Sequence, residues 1–375
     1  MHFIEDATAV ERTLIDRAAQ ARSPINGSIE LTPICNMNCD MCYVRLSPEE
    51  MRRQGRLRTV DEWLEIARQM RDSGTLFLLL TGGEPLTYPD FERLYLELMK
   101  LGMLLTLNTN GTLIDETWAD FFAVNKPRRI NITLYGPDAQ TYEKLCHYRD
   151  GFERTLRAIR LLRERDVPVR VSISVTPQNA PHIGRMMAIA HELDAAVLVD
   201  TYMMPAVRER SLPFDQQSRL SPEEAAQIRI QALKQEMTSG KFTQYVMESL
   251  WAAQHIQPDS GPNQMRCLAG SCSFTVNWQG QMRPCVVMSS PSASVLGMGF
   301  DAAWQHIRSE AGKITLSPKC SVCRLRLLCR TCAASALQET GRYDGTPEYM
   351  CRYSLHSLNL LIREAPGLAR AEKGE

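Results

Sequence analysis

The sequence predicts an α/β fold: a partial (β/α)6 TIM-like barrel followed by a small cysteine-rich domain. Three observations carry the prediction. Short β-rich runs alternate with helix-patterned stretches at intervals of roughly 30–45 residues, as βαβ units do. Six such units fit between residues 28 and 202, too few for a closed eight-unit barrel. Eight of the twelve cysteines then crowd into residues 267–351, where the alternation has stopped.

In chain order, Ile4, Ala7, Val10, Leu14, Ile15 and Ala18 recur at helical spacing and predict a leading amphipathic helix within 1–27. Strands follow at 28–32, 76–81, 104–109, 129–135, 168–175 and 195–202, with helices at 59–73, 89–101, 115–124, 151–166 and 179–193. Thr59 followed by Asp61 and Glu62, and Pro89 followed by Asp90, mark two helix starts. Residues 203–266 read as a helical bridge, a Pro-containing connector and then helices opening at Ser221-Pro222-Glu223-Glu224. Residues 267–351 read as short strands around an Asn277–Gly280 turn, with too little apolar periodicity to fold without a staple such as metal. A last helix and a charged tail occupy 352–375.

Composition narrows the function. Apolar residues make up 44% and charged residues 23%, which excludes disordered and collagen-like classes. The 43 Lys plus Arg balance 43 Asp plus Glu, so no net field draws the chain to phosphate backbones or anionic membranes. No apolar run approaches the ~18–20 residues of a bilayer span. The acidic start MHFIEDATAVERTLIDR lacks the basic-then-apolar pattern of a signal peptide. A cytoplasmic protein with no nucleic-acid or membrane partner is expected, and in a reducing compartment clustered cysteines point to metal or catalysis over disulfides.

Cys35-x3-Cys39-x2-Cys42 follows the first strand directly, at the end where barrel proteins place their chemistry. Three thiolates can surround a soft metal group, but an ordinary four-iron cluster takes four, so one iron would stay open to an outside ligand. A zinc site completed by a distant side chain and plain structural cysteines are the alternatives. Thr81-Gly82-Gly83-Glu84-Pro85 closes the second strand, Asn108-Thr109-Asn110-Gly111 closes the third, and Thr133 lies on the fourth. Glycines permit close backbone approach and a carboxylate complements an ammonium.

With these motifs in this order, residues 28–202 resemble the radical S-adenosylmethionine (SAM) superfamily. Its C-x3-C-x2-C loop holds a [4Fe–4S] cluster whose unique iron takes the amine and carboxylate of SAM. The resemblance implies that Cys35, Cys39 and Cys42 ligate that cluster, and that Gly82, Gly83, Glu84 and Pro85 meet the methionine amino group. It assigns Asn110 to the TNG-like turn, Thr133 to the ribose, and Met41 and Tyr43 to the adenine side.

The late cysteines read Cys267-x4-Cys272-x12-Cys285, then Cys320-x2-Cys323-x5-Cys329-x2-Cys332, then Cys351. A zinc ribbon is one reading of the two CxxC pairs, although ribbons commonly part their pairs by about 15–20 residues, and here five intervene. The whole pattern resembles the SPASM domain attached to radical SAM enzymes, with G-x4-C at Gly280–Cys285 and one departure, x2 for x3 before Cys332. The resemblance implies two auxiliary [4Fe–4S] clusters, one on Cys267, Cys272, Cys285 and Cys332, the other on Cys320, Cys323, Cys329 and Cys351. That makes three clusters in all. Cys146 is left over and is expected to be a small buried apolar residue.

The resemblance further implies reductive cleavage of SAM to a 5′-deoxyadenosyl radical, fed by a flavodoxin or ferredoxin electron donor, and hydrogen abstraction from a substrate. Two clusters in the appended domain offer a path for a further electron, which favours oxidation. SPASM relatives mostly modify peptides or proteins, so a ribosomally made peptide is the expected substrate, crosslinked through a thioether or similar bond. The roughly 27 residues before the first strand are too few for the leader-binding domain that many peptide maturases carry, so leader recognition would need a separate protein or another surface of this one. Val286 stands where sulfatase-maturating relatives usually carry Asp, and Thr133-Leu134-Tyr135-Gly136 departs from their strand-four motif, which lowers that alternative. A small-molecule substrate and a non-enzymatic, zinc-stapled binding protein are the others. Tyr135, His147 and Tyr202 are weak candidates for a catalytic base.

Overall fold

A computed structural model describes residues 7–203, 219–255, 264–265, 267–326, 328–329 and 332–371. The connector within the expected bridge, Ile4 of the leading helix and the end of the tail lie outside the described residues. The leading helix α1 spans Ala9–Ala21, opened by a Thr8/Glu11 capping box. Glu11 also takes Arg128 Nε at 2.6 Å, and that bond holds its carboxyl at about 2.

Six parallel strands follow: β1 (Asn26–Glu30), β2 (Phe77–Thr81), β3 (Leu104–Thr109), β4 (Arg129–Thr133), β5 (Val169–Ser174) and β6 (Ala196–Asp200). The helices between them are α2 (Val60–Asp72), α3 (Phe91–Lys100), α4 (Glu116–Val124), α5 (Ala139–Cys146), α6 (Gly151–Arg163) and α7 (Ile183–Glu192). Helix α2 shows why they sit where they do. Thr59 and Glu62 form a capping box, satisfying backbone donors the first turn leaves orphaned. Val60, Trp63, Leu64, Ile66, Ala67 and Met70 are buried along one face, the stripe that an amphipathic helix turns to a sheet.

The bridge contributes α8 (Pro222–Glu236) and α9 (Ser239–His255). The cysteine-rich segment adds β7 (Ser273–Val276), β8 (Gln281–Arg283), β9 (Ala293–Ser294), α10 (Phe300–Gly312), α11 (Ala333–Thr340) and the long α12 (Glu348–Ala371). The sheet is continuous over nine strands in the order β6-β5-β4-β3-β2-β1-β7-β8-β9. Strand β7 pairs parallel to β1, Asn26 opposite Ser273, while β8 and β9 add antiparallel. The late segment is therefore not set apart. Phe274, Phe300 and Trp304 stack edge-on and belong to the same buried core as the barrel. Apolar burial that local periodicity did not reveal thus supplies part of the staple expected from metal. Among the described residues, no helix is long and apolar enough to cross a membrane.

Candidate functional site

After β1 the chain crosses the carboxyl end of the sheet in a loop carrying Cys35, Cys39 and Cys42, and its backbone is clamped from two sides. On one side, Gly83 N–H donates to Thr32 O at 2.6 Å and Glu84 N–H donates to Ile34 O at 2.9 Å. A Cβ on Gly82 would lie 2.4 Å from Thr32 O, and one on Gly83 would lie 2.3 Å from Ile34 O. Only glycines permit this approach. On the other side, Asn38 N–H donates to Cys146 O at 3.0 Å and Asp40 N–H donates to Leu145 O at 3.1 Å. The end of α5 thus serves as a rail for the loop.

Cys39 is buried and Cys35 and Cys42 are partly so. Burial pushes the Cys35 thiol up to about 12, with the charges of Glu84, Cys39 and Cys42 adding to it. A hydrogen bond with the Cys146 thiol, then burial, raises Cys39, against a hydrogen bond with Tyr135. Such thiols stay protonated until a metal displaces the protons. N–H groups approach the sulfurs: Met37 N lies 3.4 Å from Cys35 Sγ, Arg45 N 3.4 Å from Cys42 Sγ, and Asn110 Nδ2 3.7 Å from Cys35 Sγ. Donors of this kind tune sulfur-ligated iron. Three soft ligands backed by N–H groups fit an iron–sulfur group.

Glu84 is completely buried. It accepts from Leu86 N at 3.1 Å, Thr109 Oγ1 at 2.8 Å and Asn110 N at 2.9 Å, so its carboxylate braces the ends of β2 and β3. Burial raises it to about 7, against the three donors. Asn110 in turn donates to Asn36 Oδ1 at 2.9 Å, and Asn36 donates to Thr112 Oγ1 at 2.8 Å. Sequence reasoning missed Asn36 and Thr112. Their only signal was adjacency to the Cys35 and Asn110 motifs.

The remaining expected residues are spread around this loop. Pro85 is buried at the start of a single 3-10 turn, Pro85–Thr87. Met41 is buried, Tyr43 and Thr133 are partly buried, and Thr133 O accepts from Tyr142 Oη at 3.4 Å. The Tyr135 hydroxyl is raised well above its usual range by burial and by the nearby thiols. His147 ends α5 in the left-handed region and sets Nε2 2.6 Å from Asp40 Oδ1. Tyr202 Oη donates to Glu339 Oε1 at 2.9 Å, and Arg219 bonds the same oxygen at 3.2 Å. Tyr202 thereby ties the end of β6 to α11, while Tyr135 and His147 flank the cysteine loop.

The late cysteines fall into two neighbourhoods and one outlier. Charge on Cys332 reaches Cys267, and charge on both reaches Cys285, although burial is the larger cause of the upward shift in each. Cys285 and Cys332 pack against one apolar cluster with Met265 and Met288. Cys351 feels Cys329, Cys320 and Cys323, again after burial. Cys272 stands elsewhere, wholly buried among Ile15, Ala18, Ile25 and Phe77. Among the described residues no three His, Cys, Asp or Glu side chains crowd together tightly enough to hold a single metal ion.

Comparison with known proteins agrees with this layout. Residues 29–187 match the family model described as Radical SAM superfamily. The chain is 26% identical over 330 residues to the AdoMet-dependent heme synthase of Methanosarcina barkeri, covering 84% of this chain and 92% of that protein. It is 24% identical over 369 residues to the PqqA peptide cyclase of Bradyrhizobium diazoefficiens, covering 92% and 91%. Streptococcus suis SuiB shares the fold. Its structure bound to S-adenosylmethionine superposes with a TM-score of 0.65 at 16% identity, covering 91% of this chain and 81% of SuiB. Its structure bound to precursor peptide SuiA gives 0.62 at 18%, covering 91% and 79%.

Proposed function

We propose that this chain, whose residues 29–187 match the Radical SAM superfamily model, is an enzyme of that superfamily, that Cys35, Cys39 and Cys42 hold a [4Fe–4S] cluster and that the substrate is a ribosomally made peptide, modified oxidatively. When bound, that cluster and SAM supply a 5′-deoxyadenosyl radical able to take one hydrogen atom from the substrate. The observation that carries the reading is the clamped loop, three thiols held over the sheet end by Gly82, Gly83 and the last turn of α5.

The chain's own contribution is positioning. Glu84 locks β2 to β3 beneath the loop, so the methionine-binding backbone would be rigid before SAM arrives, an arrangement that lowers the ordering cost of binding. Thr133 and Tyr43 supply polar groups toward the nucleoside, and Met41 an apolar one. The wholly buried Tyr142 and the partly buried Tyr135 would exclude water beside the thiols, which protects a reactive species from side reactions. The late cysteines would hold auxiliary clusters that take away the second electron of an oxidation.

A peptide substrate is favoured by the near full-length relation to a peptide cyclase and by the shared fold with an enzyme solved on its precursor peptide. The relation to heme synthases favours a second reading, a small tetrapyrrole-like substrate. Anaerobic reconstitution with iron and sulfide, followed by dithionite and SAM, tests the chemistry. The wild type should release 5′-deoxyadenosine, and the protein with Cys35, Cys39 and Cys42 all changed to Ala should release none. Equal yields from both would refute it. Adding a short peptide encoded beside this gene, or a porphyrin, then separates the substrates by which one raises the yield and changes mass.

A further inference from the structure

The nine-strand sheet is an open arc with β6 at one edge, and one helix of the late segment reaches round to that edge. Gln338 Nε2 of α11 donates to Val287 O at 3.2 Å, shortly past β8. The next residue, Glu339, accepts the hydroxyl of Tyr202, two residues past β6, at 2.9 Å and Arg219 Nη1 at 3.2 Å, both on Oε1. Arg219 is itself seated, its guanidinium carbon 3.7 Å from the centre of the Tyr349 ring, and the Tyr349 hydroxyl donates to Leu220 O at 3.1 Å. Oε1 is thus fixed by two donors. Oε2 has no partner among the described residues, in a side chain only 9% exposed. Strands β1 to β6 all run parallel, so Tyr202 and Glu339 stand at the same carboxyl rim as the loop of Cys35, Cys39 and Cys42. Barrel proteins place their reacting groups on that rim.

Resting on the radical reading above, we propose that Glu339 is the general base of the modification, its Oε2 accepting the proton of the substrate's own nucleophile. An oxidative crosslink between a C–H and an X–H group of the substrate must shed two electrons and two protons. One of each leaves together, as the hydrogen atom that ends in 5′-deoxyadenosine. The second proton passes from X–H to Glu339 while the carbon–X bond forms, and the second electron leaves for an acceptor of the iron–sulfur class. A base must be aimed before it can act, and a carboxylate with one oxygen anchored and the other open is already aimed. The neighbouring polar groups are committed elsewhere. Burial raises the Tyr202 and Tyr135 hydroxyls well above their usual range, so both keep their protons. His147 is engaged with Asp40, and Asp200 Oδ1 accepts the Tyr202 N–H at 3.1 Å.

Glu339→Gln keeps the size of the side chain and an oxygen for Tyr202 and Arg219 while removing the base. The assay uses whichever of the neighbour-encoded peptide or the porphyrin the wild type converts. The variant should bind as much iron as the wild type and release 5′-deoxyadenosine, yet form at least about a hundredfold less product. Deuterium placed at the reacting carbon should still arrive in 5′-deoxyadenosine, since hydrogen abstraction precedes the proton step. Glu339→Ala should regain product when formate is added, because a small carboxylate can occupy the vacated place. Product and 5′-deoxyadenosine falling together in Glu339→Gln, or no rescue by formate, would make Glu339 a brace and overturn the proposal, leaving the radical reading intact. A wild type that releases no 5′-deoxyadenosine would remove both.

A second measurement, on the reconstituted protein without SAM, needs no substrate. A water-soluble carbodiimide with glycinamide should convert Glu339 to its amide, read by peptide mass, well ahead of the completely buried Glu84. Equal protection of the two carboxyls would show that Oε2 is closed to any proton donor and would refute the assignment.

Discussion

Glu84 Oε2 accepts the backbone N–H of Asn110 at 2.9 Å while its Oε1 accepts the Thr109 hydroxyl at 2.8 Å, so one enclosed carboxyl fastens two strand ends. Burial lifts that carboxyl from 4.5 to about 7, and the direction fixes the sign of a pH effect. Between those values the folded chain keeps a proton that the unfolded chain has lost, so stability falls as pH rises through the window. Full ionisation costs about 3 kcal/mol at roughly 1.4 kcal/mol per unit. Glu84→Gln should remove that dependence, read as the difference in urea midpoint between pH 5 and pH 8 in the metal-free protein. Identical pH dependence in both proteins would show that the carboxyl titrates normally.

Gly83→Ala should be far more damaging than its size suggests. The new Cβ meets backbone, 2.3 Å from Ile34 O and 2.7 Å from Ile34 C, so the loop segment leading to Cys35 must move. We expect loss of about a third of the bound iron together with SAM binding. Gly184→Ala, inside α7 with nothing within 4 Å, is the control and should be neutral or stabilising by up to ~1 kcal/mol. Similar iron content in the two variants would contradict the clamp.

Cys146→Ala should leave iron bound. The residue holds the cysteine loop through its carbonyl, which the substitution preserves, and its enclosed thiol is lost at a cost of roughly 1–2 kcal/mol in thermal stability. Should iron at the loop site fall as far as in Cys39→Ala, Cys146 would instead be a ligand.

Tyr202→Phe separates a strut from a participant. Glu339 keeps Arg219 as a partner, so removing the hydroxyl should cost only about 1 kcal/mol of stability and leave the yield of 5′-deoxyadenosine per substrate converted unchanged. A fall of tenfold or more in substrate turnover with unchanged stability would place Tyr202 in the chemistry.

Strands β1 to β6 were legible in the sequence, because each is a compact β-rich run between helix stripes. Strand β1 starts at Asn26, two residues ahead of the expected Ser28, since pairing with Phe77 and Ser273 sets its edge and side-chain pattern does not. Helix α5 was not foreseen. Its eight residues are too few for a clear stripe, yet it carries Cys146 to the loop. The cysteine spacing and the Gly82-Gly83-Glu84 turn were readable because each motif is local. The Asn36–Thr112 bond spans 76 positions, and the separation of Cys272 from Cys285 depends on α1. Contacts of that range leave no periodic trace.

The pairing of β7 with β1 also bears on the order in which the molecule can be made. Ser28 and Thr275 touch through their hydroxyls at 2.7 Å across 247 positions. A ribosome therefore releases the first strand long before its outer neighbour exists. Until then β1 presents an unpaired row of amides, the kind of surface that recruits foreign strands. Truncation before residue 273 would leave that flank permanently bare, so nascent or clipped chains should be the aggregation-prone forms, however well the full-length molecule behaves.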